Sequence, residues 1–214
     1  MGLRNPVVPR IRQGSWKPEL IAIGSSTGGP EALMQIVSAL DRSIRAPILI
    51  AQHMPASFTE KLALRLSSQN TLVALQAQHD TILENGKIYI APGDYHLEVK
   101  RLGLHLRTVL HQGPKENSCR PAVDVLFRSV AKYCGNRALG IVLTGMGRDG
   151  VEGAQCIRES GGQVWIQDEA TCVIWGMPGA VAEAGTANLV LPLPKIAPEI
   201  NMFFPTSTTS AHAR

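Results

Sequence analysis

The sequence predicts an α/β protein: a Rossmann-like, doubly wound, mostly parallel sheet flanked by helices, with an antiparallel β-hairpin insertion. Three observations carry this reading. Short apolar runs at 20–24, 47–51 and 139–143 alternate with segments of helical spacing, which is the pattern of repeated βαβ units. These runs are apolar throughout, as strands covered on both faces must be. Only 95–110 alternates polar and apolar residues around a glycine, Gly103, the mark of a hairpin with one wet face.

Taken in order, residues 1–18 carry Pro6, Pro9, Pro18 and three arginines without periodicity, and read as an N-terminal linker or arm. Residues 19–203 read as the folded domain, and the Ser/Thr-rich 204–214 as a flexible tail. Strand 20–24 leads into a helix over 30–40 with Ala32, Leu33, Ile36, Val37 and Leu40 on one face. Pro30 suits the first turn of that helix, where a missing N–H costs nothing. After strand 47–52, Ser57-Phe58-Thr59-Glu60 has the form of a capping box opening a second helix. Strands are expected at 72–75 and 87–91, then the hairpin. Helices at 121–134, 150–159, 178–184 and 194–202 alternate with strands at 139–143, 163–167 and 189–191.

At 214 residues the chain fits one domain with a substantial core. A hydrophobic content of 44% with 18% charged residues argues against disorder. No apolar run reaches the ~20 residues of a membrane span, and the N-terminus lacks a secretory apolar core. Membrane insertion is therefore not expected. The net charge of +4 is mild, and the few aromatic residues are scattered, so nucleic acid is not an expected partner. Cys119, Cys134, Cys156 and Cys172 have no C-x-x-C spacing, which argues against zinc and for a reduced, cytoplasmic protein.

Three loops that each follow a strand carry polar groups suited to catalysis. Gly24-Ser25-Ser26-Thr27-Gly28-Gly29-Pro30 joins a strand to a helix, and its Gly24 to Gly28 spacing matches a nucleophile turn formally. The same loop could cradle a phosphate, although it lacks both G-x-G-x-x-G and a terminal Gly-Lys-Ser/Thr, and its hydroxyls could simply be caps. His53, in Gln52-His53-Met54-Pro55, could take a proton from a serine hydroxyl, and His96 is its rival. Asp149, in Gly145-Met146-Gly147-Arg148-Asp149-Gly150, reads either as a helix cap or as the carboxylate that orients the histidine. Ligands collect at the carboxyl ends of strands in such sheets.

Together with Ile90-Ala91-Pro92-Gly93-Asp94, Arg120-Pro121-Ala122-Val123-Asp124-Val125-Leu126-Phe127 and Gly176-Met177-Pro178, these loops resemble the catalytic domain of the bacterial chemotaxis protein-glutamate methylesterases, the CheB family, over about 20–193. The resemblance implies a serine hydrolase with Ser26 as nucleophile, His53 as base and Asp149 as third member. Thr27 and Met146 would line the oxyanion position through backbone donors. It implies hydrolysis of glutamate γ-methyl esters on chemoreceptor cytoplasmic helices, with release of methanol, and deamidation of receptor glutamines, without metal or organic cofactor. Arg101, Arg107, Arg120 and Arg148 are candidates for a basic docking rim against those acidic helices. Family members usually carry a receiver domain, whereas about twenty residues precede the first strand here. A separate receiver-domain protein is thus a candidate partner. The alternatives are a nucleotide-binding module and a non-catalytic receptor adaptor.

Overall fold

The apolar runs of the sequence become strands of one sheet in the computed structural model, which describes residues 16–69 and 72–205. The chain begins with β1 (Leu20–Ser25), α1 (Gly29–Ser38), β2 (Ile48–Gln52), α2 (Ala56–Gln69), β3 (Val73–Gln76) and β4 (Lys87–Ile90). The hairpin strands β5 (His96–Leu102) and β6 (His105–His111) follow. Then come α3 (Val123–Cys134), β7 (Ala138–Val142), α4 (Val151–Glu159), β8 (Gln163–Gln167), α5 (Met177–Glu183), β9 (Leu189–Leu191) and α6 (Leu193–Asn201).

Seven strands lie side by side in the order β3-β4-β2-β1-β7-β8-β9, with every pairing parallel. From β1 the chain winds outward through β2, then crosses to β7 on the opposite flank of β1. The direction of winding therefore reverses beside β1, and the crevice beyond the strand ends at such a reversal is where α/β sheets bind ligands. The loops after β1, β2 and β7 meet there. They are the loops that hold Ser26, His53 and Asp149.

Side chains two apart along a strand share a face, so each buried strand feeds two cores. Ile21, Ile23, Ile48, Ile50 and Ile141 pack under α1, α2 and α6. Leu20, Ala22, Leu49, Ala51 and Val142 pack on the other face, under α3, α4 and α5. The hairpin forms its own two-stranded sheet and lies against α3. Its dry face (Leu97, Val99, Leu106) joins the second core, and the Val99 N–H donates to Ser129 Oγ of α3 at 3.0 Å. No helix among the described residues is long and apolar enough to cross a membrane.

The structure departs from the sequence reading at three places. Helix α2 starts at Ala56, so Ser57 lies inside its first turn and does not cap it. Pro55 directly precedes the helix, and its carbonyl already accepts from the Phe58 N–H at 3.0 Å. At the chain ends, Trp16 of the segment read as an arm stacks edge-on against Phe203 at 5.1 Å between ring centroids. Phe204, in the segment read as a tail, is buried against the α6 side of the sheet. Most of the arm and tail, residues 1–15 and 206–214, lies outside the described residues.

One close approach ties the sheet to the loops above it. A Cβ placed on Gly24 of β1 would come 2.3 Å from Val123 Cγ1, at the start of α3. Gly24→Ala should therefore lower unfolding free energy in urea by about 1–3 kcal/mol through overpacking. An unchanged denaturation midpoint would mean that α3 can retreat without cost.

Candidate active site

The loop after β1 separates its two serines by burial. Ser25 is the last strand residue and fully buried, and its Oγ donates to Gln52 Oε1 at 2.6 Å. The Gln52 amide donates in turn to the carbonyls of Ser26 and His53, both at 3.0 Å. Gln52 thus stitches the β1 and β2 loops together and occupies the Ser25 hydroxyl. Ser26 is only half-buried, and its Oγ has no hydrogen bond among the described residues. Gly28, at φ +79°, turns the chain into α1 through the left-handed region where glycine carries no steric penalty. The Ser26 N–H donates to the Thr144 carbonyl at 3.1 Å. A Cβ on Gly145 would sit 2.7 Å from Ser26 Cβ, so only glycine lets the β7 loop come this close.

His53 and Asp149, 96 residues apart, meet with Nε2 and Oδ2 2.7 Å apart. The carboxylate can only accept, so Nε2–H is the donor. Asp149 is 1% exposed, and burial alone would raise its pKa. The hydrogen bond from His53 and those from the Val123 N–H (2.6 Å) and Asp124 N–H (3.0 Å) more than offset this and hold the carboxyl below its usual range. Both amides belong to the first turn of α3, whose dipole also favours an anion. Asn117 Nδ2 adds a fourth donor at 3.1 Å and reaches Asp124 Oδ2 at 2.9 Å. Asp124 is buried, and its Oδ1 accepts from the Gly153 N–H in α4 at 2.7 Å. Burial and the nearby Asp149 push its carboxyl up to about 6. The two carboxylates thus cross-cap α3 and α4.

Desolvation lowers the His53 pKa, but the hydrogen bonds and charges of Asp149 and Cys119 outweigh it and raise the imidazole to about 9. Because Asp149 holds Nε2, the ring nitrogen left for a substrate-side proton is Nδ1. Cys119 Sγ lies 3.4 Å from it. No hydrogen bond joins Ser26 Oγ to His53 in this resting arrangement. The N–H groups of Thr27 and Met146 have no partner among the described residues, which leaves two donors in the loops flanking Ser26. His96, the rival histidine, is buried with both ring nitrogens engaged: Nε2–H donates to the Pro114 carbonyl at 2.9 Å, and Nδ1 accepts from the Ala122 N–H at 3.2 Å. It is a strut.

The four arginines separate. Arg101 bonds Glu19 at 2.8 Å and the Tyr133 carbonyl, and Glu19 precedes β1 whereas Ser26 follows it. A six-residue strand is ~20 Å long, which removes Arg101 from the rim of the site. Arg107 is clamped on Asp80. Arg120, next to Cys119, bonds Asp94 and the carbonyls of Gln112 and Gly113, where it ties loops together. Arg148, beside Asp149, is exposed and has no ion pair among the described residues. A cavity of about 830 Å³ lined by Lys17, Glu19, Arg42, Arg45 and Arg137 lies at the Glu19 end, away from this site. The loop after β1 is a poor phosphate cradle, since its Gly29 N–H is spent on the Ser26 carbonyl at 2.8 Å. The described residues hold no cluster of three metal-ligating side chains.

Sequence reading missed Gln52, Asn117, Cys119 and Asp124 as parts of this arrangement. Asp124 left a trace, a charge inside the apolar run from Ala122 to Phe127. Nothing in the sequence marks Asn117 or Cys119.

Comparison with known proteins agrees with this architecture. The family profile described as CheB methylesterase matches residues 21–200. A protein-glutamate methylesterase/protein-glutamine glutaminase of Trichodesmium erythraeum is 55% identical over 184 residues, 86% of this chain and 52% of that protein. The protein of the same name from Maricaulis maris is 53% identical over 184 residues, again 86% of this chain and 46% of that protein. The chain thus spans about half the length of these curated relatives. The crystal structure of the Thermotoga maritima CheB methylesterase catalytic domain superposes with a TM-score of 0.84 at 40% identity, covering 86% of this chain and 97% of that one. On sequence and fold together, the chain belongs to the CheB methylesterase family.

Proposed function

We propose that this protein hydrolyses glutamate γ-methyl esters on the cytoplasmic helices of chemoreceptors, and deamidates receptor glutamines by the same route. The observation that carries the reading is the bond from half-buried His53 to buried Asp149, with the unbonded hydroxyl of Ser26 on the adjoining loop. Relatives of about half-identical sequence bear the names of both activities. In this mechanism Ser26 Oγ attacks the ester carbonyl and gives its proton to His53 Nδ1. Asp149 holds Nε2–H and balances the imidazolium. The oxyanion is received by the N–H groups of Thr27 and Met146. His53 returns the proton to the departing methoxide, and methanol leaves. Water, activated by the same ring, then frees the glutamate. With a glutamine substrate the leaving group is ammonia. The Ser26–His53 hydrogen bond forms when substrate is present, since catalytic contacts are often loose in resting sites. Every step uses side chains and backbone of this chain.

Methanol release from a methylated chemoreceptor fragment tests the assignment. Ser26→Ala should lower kcat by roughly 10³-fold or more, the scale for a lost nucleophile. Ser25→Ala, which removes only the bond to Gln52, should retain most activity. Loss in Ser25→Ala alone would move the nucleophile by one residue and refute the mechanism.

The raised pKa of His53 sets the pH dependence. The base must be neutral, and at about 9 the ring is mainly protonated at neutral pH. The kcat/KM for methyl-ester hydrolysis should therefore climb through pH 8 to a limb near 9. A plateau already reached by about 7, near the ordinary histidine value, would contradict this.

For docking, Arg148 is the arginine with an uncommitted charge next to the site. Arg148→Ala should reduce kcat/KM several-fold at low salt and flatten its dependence on ionic strength. Parallel salt curves for variant and wild type would exclude Arg148 from substrate recruitment.

A further inference from the structure

One nucleophilic side chain lies directly against the imidazole. Cys119 Sγ lies 3.4 Å from His53 Nδ1, while Nε2 of the same ring is bonded to Asp149 at 2.7 Å. A thiol on an imidazole that a carboxylate orients is the arrangement that makes cysteine reactive. The backbone that carries the thiol is tied down on both sides. The Cys119 N–H donates to the Glu116 carbonyl at 2.8 Å, and the Glu116 N–H to the Cys119 carbonyl at 3.2 Å. Between them Asn117 and Ser118 take left-handed φ values of 50° and 63°, and the Asn117 amide is anchored on Asp149 and Asp124. Arg120, the next residue, is bound to Asp94.

The other thiols differ. Cys134 is buried, and burial pushes it up to about 12. Burial likewise pushes Cys172 up to about 11. Cys156 is half-buried, as are Cys172 and Cys119, and of the four thiols only Cys119 has an imidazole partner among the described residues.

We propose that Cys119 is a modification site for thiol-directed electrophiles, hydrogen peroxide and α-haloamides among them, and that its modification blocks the hydrolytic site through His53. This consequence rests on His53 being the base of the proposed reaction; the reactivity of the thiol does not. With iodoacetamide, sulfur attacks the methylene carbon, the S–C bond forms as the C–I bond breaks, iodide leaves, and the thiol proton passes to Nδ1 in the molecules whose ring is neutral. With hydrogen peroxide, sulfur attacks one oxygen and the S–O bond forms as the O–O bond breaks. Sulfur is oxidised by two electrons to the sulfenic acid, and the peroxide is reduced to water with the proton from Nδ1. In both products the adduct occupies the side of the ring that must receive the proton of Ser26.

The test treats the full chain with limiting iodoacetamide and follows each cysteine by peptide mass mapping, with methanol release measured in parallel. Cys119 should be alkylated about tenfold or more faster than the similarly half-buried Cys156, and faster still than Cys134 and Cys172, and His53→Gln should slow Cys119 while leaving the other three unchanged. Methanol release should fall in step with Cys119 labelling. Cys119→Ser, compared with its own untreated rate, should be insensitive to the reagent, and peroxide loss in the wild type should reverse with dithiothreitol. Equal labelling of Cys119 and Cys156, or no effect of His53→Gln in a variant that melts like wild type, would overturn the reactive thiol. Equal inactivation of Cys119→Ser would overturn the block. If no methyl ester is hydrolysed at all, the esterase reading fails while the labelling rates still decide the reactivity of Cys119.

Discussion

The carboxylate of Asp149 is the point on which the site depends. A buried anion without partners would cost several kcal/mol, and breaking one contact of a buried ion pair typically costs about 3–5 kcal/mol. Here four donors from three elements converge on it: His53 after β2, two amides at the start of α3, and Asn117 from the loop before α3. Meeting those donors sets the distance between the β2 loop, the β7 loop and α3. The same contacts that stabilise the charge orient the imidazole, so stability and chemistry draw on one arrangement.

Around that carboxylate, polar groups work in linked pairs. Asp149 precedes α4 and caps α3, while Asp124 begins α3 and caps α4 through Gly153. Gln52 does for the first two loops what Asn117 does for the others, bridging the backbone of Ser26 and His53 while it holds the Ser25 hydroxyl. Low local dielectric makes such networks strong when complete and costly when broken. The arrangement is therefore rigid at His53 and Asp149, while the Ser26 hydroxyl has no hydrogen bond among the described residues. The ring is also set in the opposite sense to the serine-protease arrangement, with Nε2 on the carboxylate and Nδ1 turned away from it. That orientation is what brings Cys119 into contact with Nδ1.

Glycine allows the loops to close on one another. Gly24 lets α3 settle on β1, and Gly145 lets the β7 loop touch Ser26; a methyl group at either would press into Val123 or Ser26 itself. Because α3 supplies two of the four donors to Asp149, packing errors at Gly24 reach the site through Val123. The hairpin contributes from outside by bracing α3 through Ser129.

Local signals determined much of this protein. Uninterrupted apolar runs marked 20–24, 47–51 and 139–143 as strands covered on both faces, and alternation marked the hairpin, because side-chain periodicity is a property of a few consecutive residues. The order of loops after strands likewise marked the Gly24–Pro30 loop, His53 and Asp149, and the family resemblance singled out Ser26 within that loop. Only the tertiary structure decided what depends on residues distant in sequence. It separated Ser25 from Ser26 through Gln52, made His96 a strut, moved Arg101 to the far end of β1, and joined Asn117, Cys119 and Asp124 to the site. It also drew Trp16 and Phe204 into packing that their polar, Pro- or Ser/Thr-rich neighbourhoods concealed. Periodicity reports which way a side chain points from its own element, whereas a partner 96 residues away is chosen by how seven strands and six helices pack.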